Sequence, residues 1–359
     1  MPVVAAALAA VAAAAGCSGA GAAPKITTTA RAGVAPTPPA KGAYFGAWVP
    51  AEDGGRPPAK GGPKSPSQTP SKSPAATAPG GTAPGEDAGK PGMAPIAGFE
   101  RDLGRQLDIV QNFHTWKSPF PSAFDSSVLA GHRYLLLSWS GGDAREIVGG
   151  GEDALIRARA RAVKATGKPV FLRWERDMDK SPASKRVHSA PDYIAAWKHL
   201  RAIFKQEKVD NVAWVWCPSA RGFGSGNAGA YYPGDDEVDW ICADAQPGGD
   251  FEYRDLSEAL KLFMEWARGR SKPIMIAEMG VPKAYGERRA EWLRRAAGLL
   301  QDPQIKAVLY FDSDEQAEDA RDDRRAFALG GDKRAVSALR ELATTPYFNP
   351  RNLPVTSGD

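Results

Sequence analysis

The chain reads as a (β/α)8 barrel preceded by a signal peptide and a low-complexity tether. Three observations lead there. From Ile96 onward, apolar β-type runs alternate with amphipathic helical stretches. Two of those runs, PVFLRWERDM (169–178) and KPIMIAEMG (272–280), end in carboxylates and break into loops, as parallel barrel strands do at a catalytic face. An isolated β-type run, GAYFGAWVP (42–50), supplies the first strand that a closed eight-stranded barrel needs.

The chain has 359 residues, 43% hydrophobic and 25% charged, which is globular composition with room for a large core. The 38 glycines and 30 prolines are concentrated before Gly98, so the folded part is shorter than the chain. Net charge is +4, without a basic stripe interleaved with aromatics, which argues against a nucleic-acid partner.

Residues 1–17 read as a signal peptide. VVAAALAAVAAAAGC is an apolar run ending in small residues, too short and Ala-rich for a spanning helix. AAGC resembles a bacterial lipobox, which implies lipidation of Cys17 and a protein held at the membrane surface, at the cell envelope or secreted. Residues 18–41 read as a Gly/Ala/Pro/Thr tether unable to bury a core. Residues 42–348 form the barrel domain, with a Pro/Lys/Gly/Ser-rich disordered insertion at 51–95 acting as a long first βα loop. Three aromatics in a nine-residue β-type run make GAYFGAWVP a strand rather than linker. Residues 349–359 read as a tail, and the chain as a monomer.

The remaining elements follow in order. FERDLGRQL is helical, and DIVQNFHTW and YLLLSWSGG are strands. EDALIRARARAVKATGK is an amphipathic helix closed by Gly167. PVFLRWERDM is the fourth strand, and PDYIAAWKHLRAIFKQEK a helix with Pro191 in its first turn. VAWVWCP and VDWICADAQ are strands, DLSEALKLFMEWARGR a helix and KPIMIAEMG the seventh strand. ERRAEWLRRAAGLLQ, KAVLYFDSD and DKRAVSALRELATT complete the alternation. GSGNAG (224–229) matches G-x-G-x-x-G. Tyr231, Tyr232 and Pro233 follow it instead of a helix, so it reads as a flexible loop over the cleft and not as a phosphate cradle.

Strand alternation places Phe171, Arg173, Glu175 and Asp177 on one face of the fourth strand. Ionisable groups there line a polar site, or else Arg173 and Glu175 only organise the barrel mouth. Asp177, last before the loop, and Glu278, ending the apolar seventh strand, are the candidate catalytic pair, since catalytic groups sit at C-terminal strand ends. Two carboxylates from separate strands can serve as acid and nucleophile for cleaving a glycosidic bond. Glu175 is the alternative acid. Trp48, Trp116, Trp139, Trp216 and Tyr232 would stack on sugar faces, whereas Trp174 and Trp214 face the helices. His114 is either a hydroxyl ligand or a structural histidine. Among the acids of the sixth strand, Asp244 is placed nearest the site. Cys217 and Cys242 lie in strand-like runs and read as buried thiols rather than a disulfide. Four scattered histidines with no C-x-x-C or H-E-x-x-H give no metal pattern, and no cofactor is expected.

Three segments carry a resemblance. KPIMIAEMG, RWERDM (173–178) and YYPGDDEVDWICADAQ (231–246) resemble motifs of glycoside hydrolase family 26, the (β/α)8 group that includes β-mannanases. The resemblance covers residues 42–348. It implies a retaining glycosidase acting on a β-linked polysaccharide, β-mannan first, with Glu278 as nucleophile and Asp177 on the position of the acid/base glutamate. The chain departs from the family at several positions. Asp177 replaces Glu, Arg176 stands where His is usual, and Gln246 stands where a Tyr bonds the nucleophile. YFDS (310–313) lacks the strand-eight Trp. A carbohydrate-binding pseudoenzyme therefore stays open beside the enzyme. So does an envelope scaffold whose Lys/Pro tract threads the cell wall.

Overall fold

A computed structural model describes residues 25–50, 86–225, 227–247, 253–316 and 322–356. The signal peptide with Cys17, and residues 51–85 of the insertion, lie outside them. Eight parallel strands close into a barrel in sequence order. They are β1 (Tyr44–Trp48), β2 (Ile109–Thr115), β3 (Tyr134–Ser140), β4 (Val170–Trp174), β5 (Val212–Trp216), β6 (Trp240–Ala245), β7 (Ile274–Met279) and β8 (Ile305–Phe311). The run at 42–50 is thus the first barrel strand, paired with β2 on one side and β8 on the other.

The connecting helices are α1 (Ala94–Leu103), α2 (Ala123–Ala130), α3 (Ala144–Val148), α4 (Asp153–Ala165), α5 (Ala183–Val187), α6 (Ala190–Gln206), α7 (Gly222–Ser225), α8 (Leu256–Ala267), α9 (Arg289–Leu300) and α10 (Lys333–Ala343). The GSGNAG segment is a helical turn followed by a 3-10 turn (Ala228–Tyr231), with Gly226 outside the described residues.

Alternation along each strand builds two cores. Ile109, Leu136, Phe171, Val215, Met275 and Leu309 fill the barrel axis. Val110, Leu137, Leu172, Trp214, Ile241 and Val308 pack outward against the helices. Gly46 is required where β1 meets β2, since a Cβ there would lie 2.5 Å from the Ile109 carbonyl oxygen.

Three segments differ from their sequence reading. Residues 25–41 do not hang free. Thr27 donates its backbone N–H to the Ser271 carbonyl at 2.6 Å, and Thr29 donates its own to Asp239 Oδ1 at 3.1 Å. Arg31 pairs with Asp210 at 2.6 Å. Asp210, Asp239 and Ser271 all precede strands, so this arm covers the N-terminal end of the barrel. Few apolar residues are needed because backbone and hydroxyl groups make the contacts. Order also resumes before Ile96, with a 3-10 turn at Glu86–Gly89 and α1 starting at Ala94. The tail, too, is tied down, Thr356 donating to the Gly104 carbonyl at 2.7 Å.

A buried charge cluster ties the second half of α1 to the 3-10 turn that precedes the helix. Arg133 donates through Nε and Nη2 to both oxygens of Glu100 at 2.8 and 2.7 Å and pairs with Asp87 at 2.6 Å. Glu100→Ala would leave Arg133 buried with half its partners. We expect a loss of about 3–5 kcal/mol in unfolding free energy, read by denaturant titration; a loss under about 1 kcal/mol would show that the cluster relaxes into water.

Candidate functional site

The site is organised around Arg173, fully buried on the inner face of β4. Its Nε donates to Ser138 Oγ at 3.0 Å. Nη1 donates to both oxygens of Asp244, at 2.8 and 3.1 Å, and Nη2 to Glu278 Oε1 at 2.5 Å. One guanidinium therefore joins β3, β4, β6 and β7 at the C-terminal end of the barrel.

Glu278 reaches this position because β7 is irregular. Strict alternation from Ile274 and Ile276, which face the helices, would turn Glu278 outward as well. The register shifts between Ile276 and Met279 against β8, and Glu278 becomes the partner of Asp244 on β6. A bulge of this kind re-aims one side chain. Here it brings Glu278 inside.

Among the described residues, four side chains serve the Glu278 carboxylate. Besides Arg173, Gln111 donates at 3.1 Å, Gln246 at 3.3 Å, and Arg176 Nε lies 3.4 Å away. Gln246 thus contacts the carboxylate from the position where family 26 has its Tyr. Burial alone would raise the Glu278 carboxyl, but Arg176 and Arg173 outweigh it and hold it below its ordinary value. Burial wins at Asp244, which is pushed well above the usual carboxylate range despite Arg173. Two carboxyls share one central cation, and their titrations are pushed in opposite directions.

Strand β4 stops at Trp174, so the alternation read through Asp177 does not hold. Glu175 and Asp177 both adopt left-handed backbone, with φ of 44° and 53°. Glu175 turns sideways, accepting the Gly141 N–H at 2.6 Å and pairing with Arg186 of α5. Gly141, at φ 119°, packs where a Cβ would lie 2.7 Å from Trp116 Cβ. As the alternative acid, Glu175 is thus committed to neighbours away from Glu278. Asp177 lies at the mouth, paired with Arg176 Nη1 at 3.1 Å and Lys180 at 3.3 Å. Arg176, which sequence reasoning noted only as a departure, spans Asp177 and Glu278.

Two cavities of about 960 and 930 Å³ open on this face, and Asp177, Lys180 and Ser181 line both. Glu175, Arg176, His114 and Trp116 line the first; Asp179, Asp244 and Gln246 line the second. His114 pairs with Asp125 at 2.8 Å and lies 3.2 Å from Asn112, with Nδ1 unpartnered among the described residues. Asp125 belongs to α2, where it completes a capping box with Ser122. Neither α2 nor the roles of Gln111 and Asp125 were anticipated; Ser122-x-x-Asp125 was the available signal.

The aromatic candidates divide. Trp116 lines the first cavity, stacked on Trp139 with ring centres 4.2 Å apart. Trp139 itself is fully buried on the helix side of β3, beneath Trp116, and cannot stack on a sugar. Trp216 shares the outward face of β5 with Trp214, is fully buried and packs edge-on to Tyr232 at 5.0 Å. Tyr232 donates to Asp235 at 2.7 Å and lines neither cavity. Trp48 stacks on Phe311 at 4.7 Å, so β8 contributes a Phe to the mouth in place of a Trp. Trp174 and Trp214 face the helices as expected, against Tyr193 and Trp197.

The cysteines correct the sequence reading. Cys217 and Cys242 form a disulfide with Cα atoms 4.4 Å apart. The β5–β6 ladder has only the pairs Val215↔Trp240 and Trp216↔Ile241, and the disulfide takes the next register position. It lies beneath Asp244, whose Oδ1 is 3.4 Å from Cys217 Sγ. Reading each run alone hid the pairing, which depends on strand register. With Asp244 the two cysteines form the kind of cluster that can hold a metal, but here the sulfurs are bonded to each other.

No family model matches the chain. In sequence it is similar to Endoglucanase H of Acetivibrio thermocellus, 27% identical over 288 residues, covering 75% of this chain and 30% of that protein. It is similar to β-1,3-xylanase TXYA of a Vibrio species, 29% identical over 150 residues, covering 40% of this chain and 30% of that protein. The match therefore spans about 30% of the length of these curated relatives. In structure it is similar to a GH26 β-mannanase from Bacteroides ovatus, with TM-score 0.58 and 15% identity over 86% of this chain and 90% of that one. The relatives are glycoside hydrolases and the structural neighbours GH26 β-mannanases, as the motifs lead one to expect; at this identity the structural likeness establishes the (β/α)8 fold.

Thiol titration of the unfolded, unreduced protein should detect neither Cys217 nor Cys242. Replacing both with Ala should cost about 3 kcal/mol of stability, given their sequence separation of 25. Two titratable thiols at these positions would remove the disulfide from the account.

Proposed function

We propose that this chain is a retaining glycoside hydrolase of the family 26 type, acting on a β-linked polysaccharide for which β-mannan is the first backbone to try. The observation that carries this reading is the Arg176 guanidinium, which contacts both Asp177 and Glu278 where the two cavities meet. Glu278, held ionised by its arginines, would attack the anomeric carbon while Asp177 protonates the leaving oxygen. Asp177 would then deprotonate the water that releases the sugar. Arg173 and Gln111 aim the nucleophile and move no proton.

The fold of the structural neighbours and the glycosidase relatives support this class of reaction. Trp116, which lines the first cavity, would supply a stacking surface. Attachment through lipidated Cys17, at the outer face of a bacterial membrane, belongs to the same proposal. A barrel disulfide suits that oxidising location. The rival reading, a carbohydrate-binding protein with little hydrolysis, is favoured by one observation. Glu278 is 1% exposed and already has four partners among the described residues, so attack requires one of them to withdraw.

Purified protein assayed on a panel of β-mannans and β-glucans should release reducing ends, and Glu278→Ala should lower turnover by at least about 1,000-fold. Binding without turnover in the unaltered protein would establish the rival reading. Asp177→Asn should depress hydrolysis of the polysaccharide strongly but spare an aryl glycoside whose leaving group needs no proton. Equal losses on both substrates would remove Asp177 from the acid role. Because its arginines lower the Glu278 carboxyl, the acid limb of the rate profile should fall below the ordinary glutamate value of about 4.3.

A further inference from the structure

The charges around the reacting carboxylates do not suit a neutral sugar. A retaining reaction begins with the acid protonated and the nucleophile ionised, and it passes through an oxocarbenium-like, positively charged transition state. With Asp177 protonated, Arg173 at 2.5 Å and Arg176 at 3.4 Å both face Glu278, and Lys180 loses its counter-charge at 3.3 Å. Asp244 is committed to Arg173, which donates to both of its oxygens at 2.8 and 3.1 Å, so Arg176 and Lys180 are left with Glu278. Positive charge developing on the sugar would meet an excess of fixed positive charge at short range.

Arg176 is also built to take a ligand. It occupies the wall of the first cavity, with a side chain 24% exposed. Its guanidinium carbon lies 4.8 Å from the centre of the Phe113 ring, which supports the planar fork from one side. Its buried Nε faces Glu278 at 3.4 Å without hydrogen-bond geometry, an ion pair that a better-placed carboxylate can replace. A guanidinium held flat with donor capacity to spare matches a carboxylate in two-point geometry, which a histidine could not offer.

We propose that the glycan accepted here carries a carboxylate on the sugar at or beside the cleaved bond, making it a β-linked polymer containing uronic acid, with Arg176 as the specificity-determining residue and Lys180 in support. The position of the cleaved bond rests on the glycosidase reading above. The substrate carboxylate supplies the missing negative charge and draws Arg176 off Glu278, which uncovers the nucleophile.

The test compares a β-1,4-linked mannuronate hexasaccharide with the mannohexaose obtained by reducing its carboxyls, so that only the charge differs. kcat/KM is measured where turnover occurs and Kd by calorimetry where it does not, on the unaltered protein, Arg176→His and Arg176→Gln, with thermal melts to confirm folding. The expected result is a preference of about tenfold or more for the acidic oligosaccharide, shrinking as salt is raised and lost in both variants. A preference for the neutral oligosaccharide, equal use of both, a preference that survives both substitutions, or no binding of either at millimolar concentration would overturn the proposal. Acid-selective binding without turnover would uphold it while ending the glycosidase reading. Turnover of mannohexaose alone would do the reverse.

Discussion

Everything at the barrel mouth depends on solvating one fully buried cation. Arg173 cannot give up its proton, so the protein must surround it with acceptors or leave a charge in a medium that does not tolerate one. Ser138, Asp244 and Glu278 meet that requirement from three other strands. The same contacts settle the ionisation of the two carboxyls. Both lie in register on neighbouring strands, too close for both to charge freely. Glu278 has Arg176, Gln111 and Gln246 in addition to Arg173, and its carboxyl is held below the ordinary value; at Asp244 burial outweighs the arginines and pushes the carboxyl up. The difference follows from where the cations and the amides stand.

The neighbouring strands show how little backbone was available to fix this arrangement. The β5–β6 ladder is short, and past it only an isolated bridge, Ser219↔Asp244, continues the pairing. The disulfide closes the gap between them, directly under Asp244. A covalent link there restrains the acceptor side of Arg173 where hydrogen bonds are sparse. On the other flank the bulge in β7 sets Glu278 opposite Asp244. The geometry of the central ion pairs is thus held by a cross-link on one side and an irregular strand on the other.

The sequence made the barrel legible because its strands are long apolar runs separated by amphipathic helices, a pattern with few other solutions. That Glu278 lies at the end of one of those strands, and Asp177 in the loop just past another, was legible for the same reason. What alternation could say about orientation was partly missed and partly unreachable. Trp216 lies two residues beyond Trp214, so its outward, buried position followed from period two. The sideways turn of Glu175 did not, since it depends on left-handed backbone after Trp174 and on the Gly141 N–H from another loop. The bulge at Glu278 and the pairing of Cys217 with Cys242 are relations between strands, and no single run contains them. The arm at 25–41 was misread because composition registers apolar burial, and this arm docks through hydroxyl, backbone and ionic contacts.

The partners of Glu278 are unequal in one respect that bears on chemistry. Arg173 and Gln111 are strand residues, and Gln246 directly follows β6. The backbones of Arg173 and Gln111 are fixed by the barrel ladder, and Gln246 adjoins its last pair. Arg176 sits on the loop after β4, between two residues in left-handed conformation, and its side chain reaches solvent through the first cavity. Holding such backbone costs about 1–3 kcal/mol per residue, which the surrounding contacts must offset. Of the four partners, Arg176 is the one that can withdraw without opening the barrel. The remaining donors would still hold Glu278 in place and ionised, with one face of its carboxylate open to the cavity. A carboxylate aimed by the strands and shielded by a loop cation is then open only to a ligand able to engage that cation.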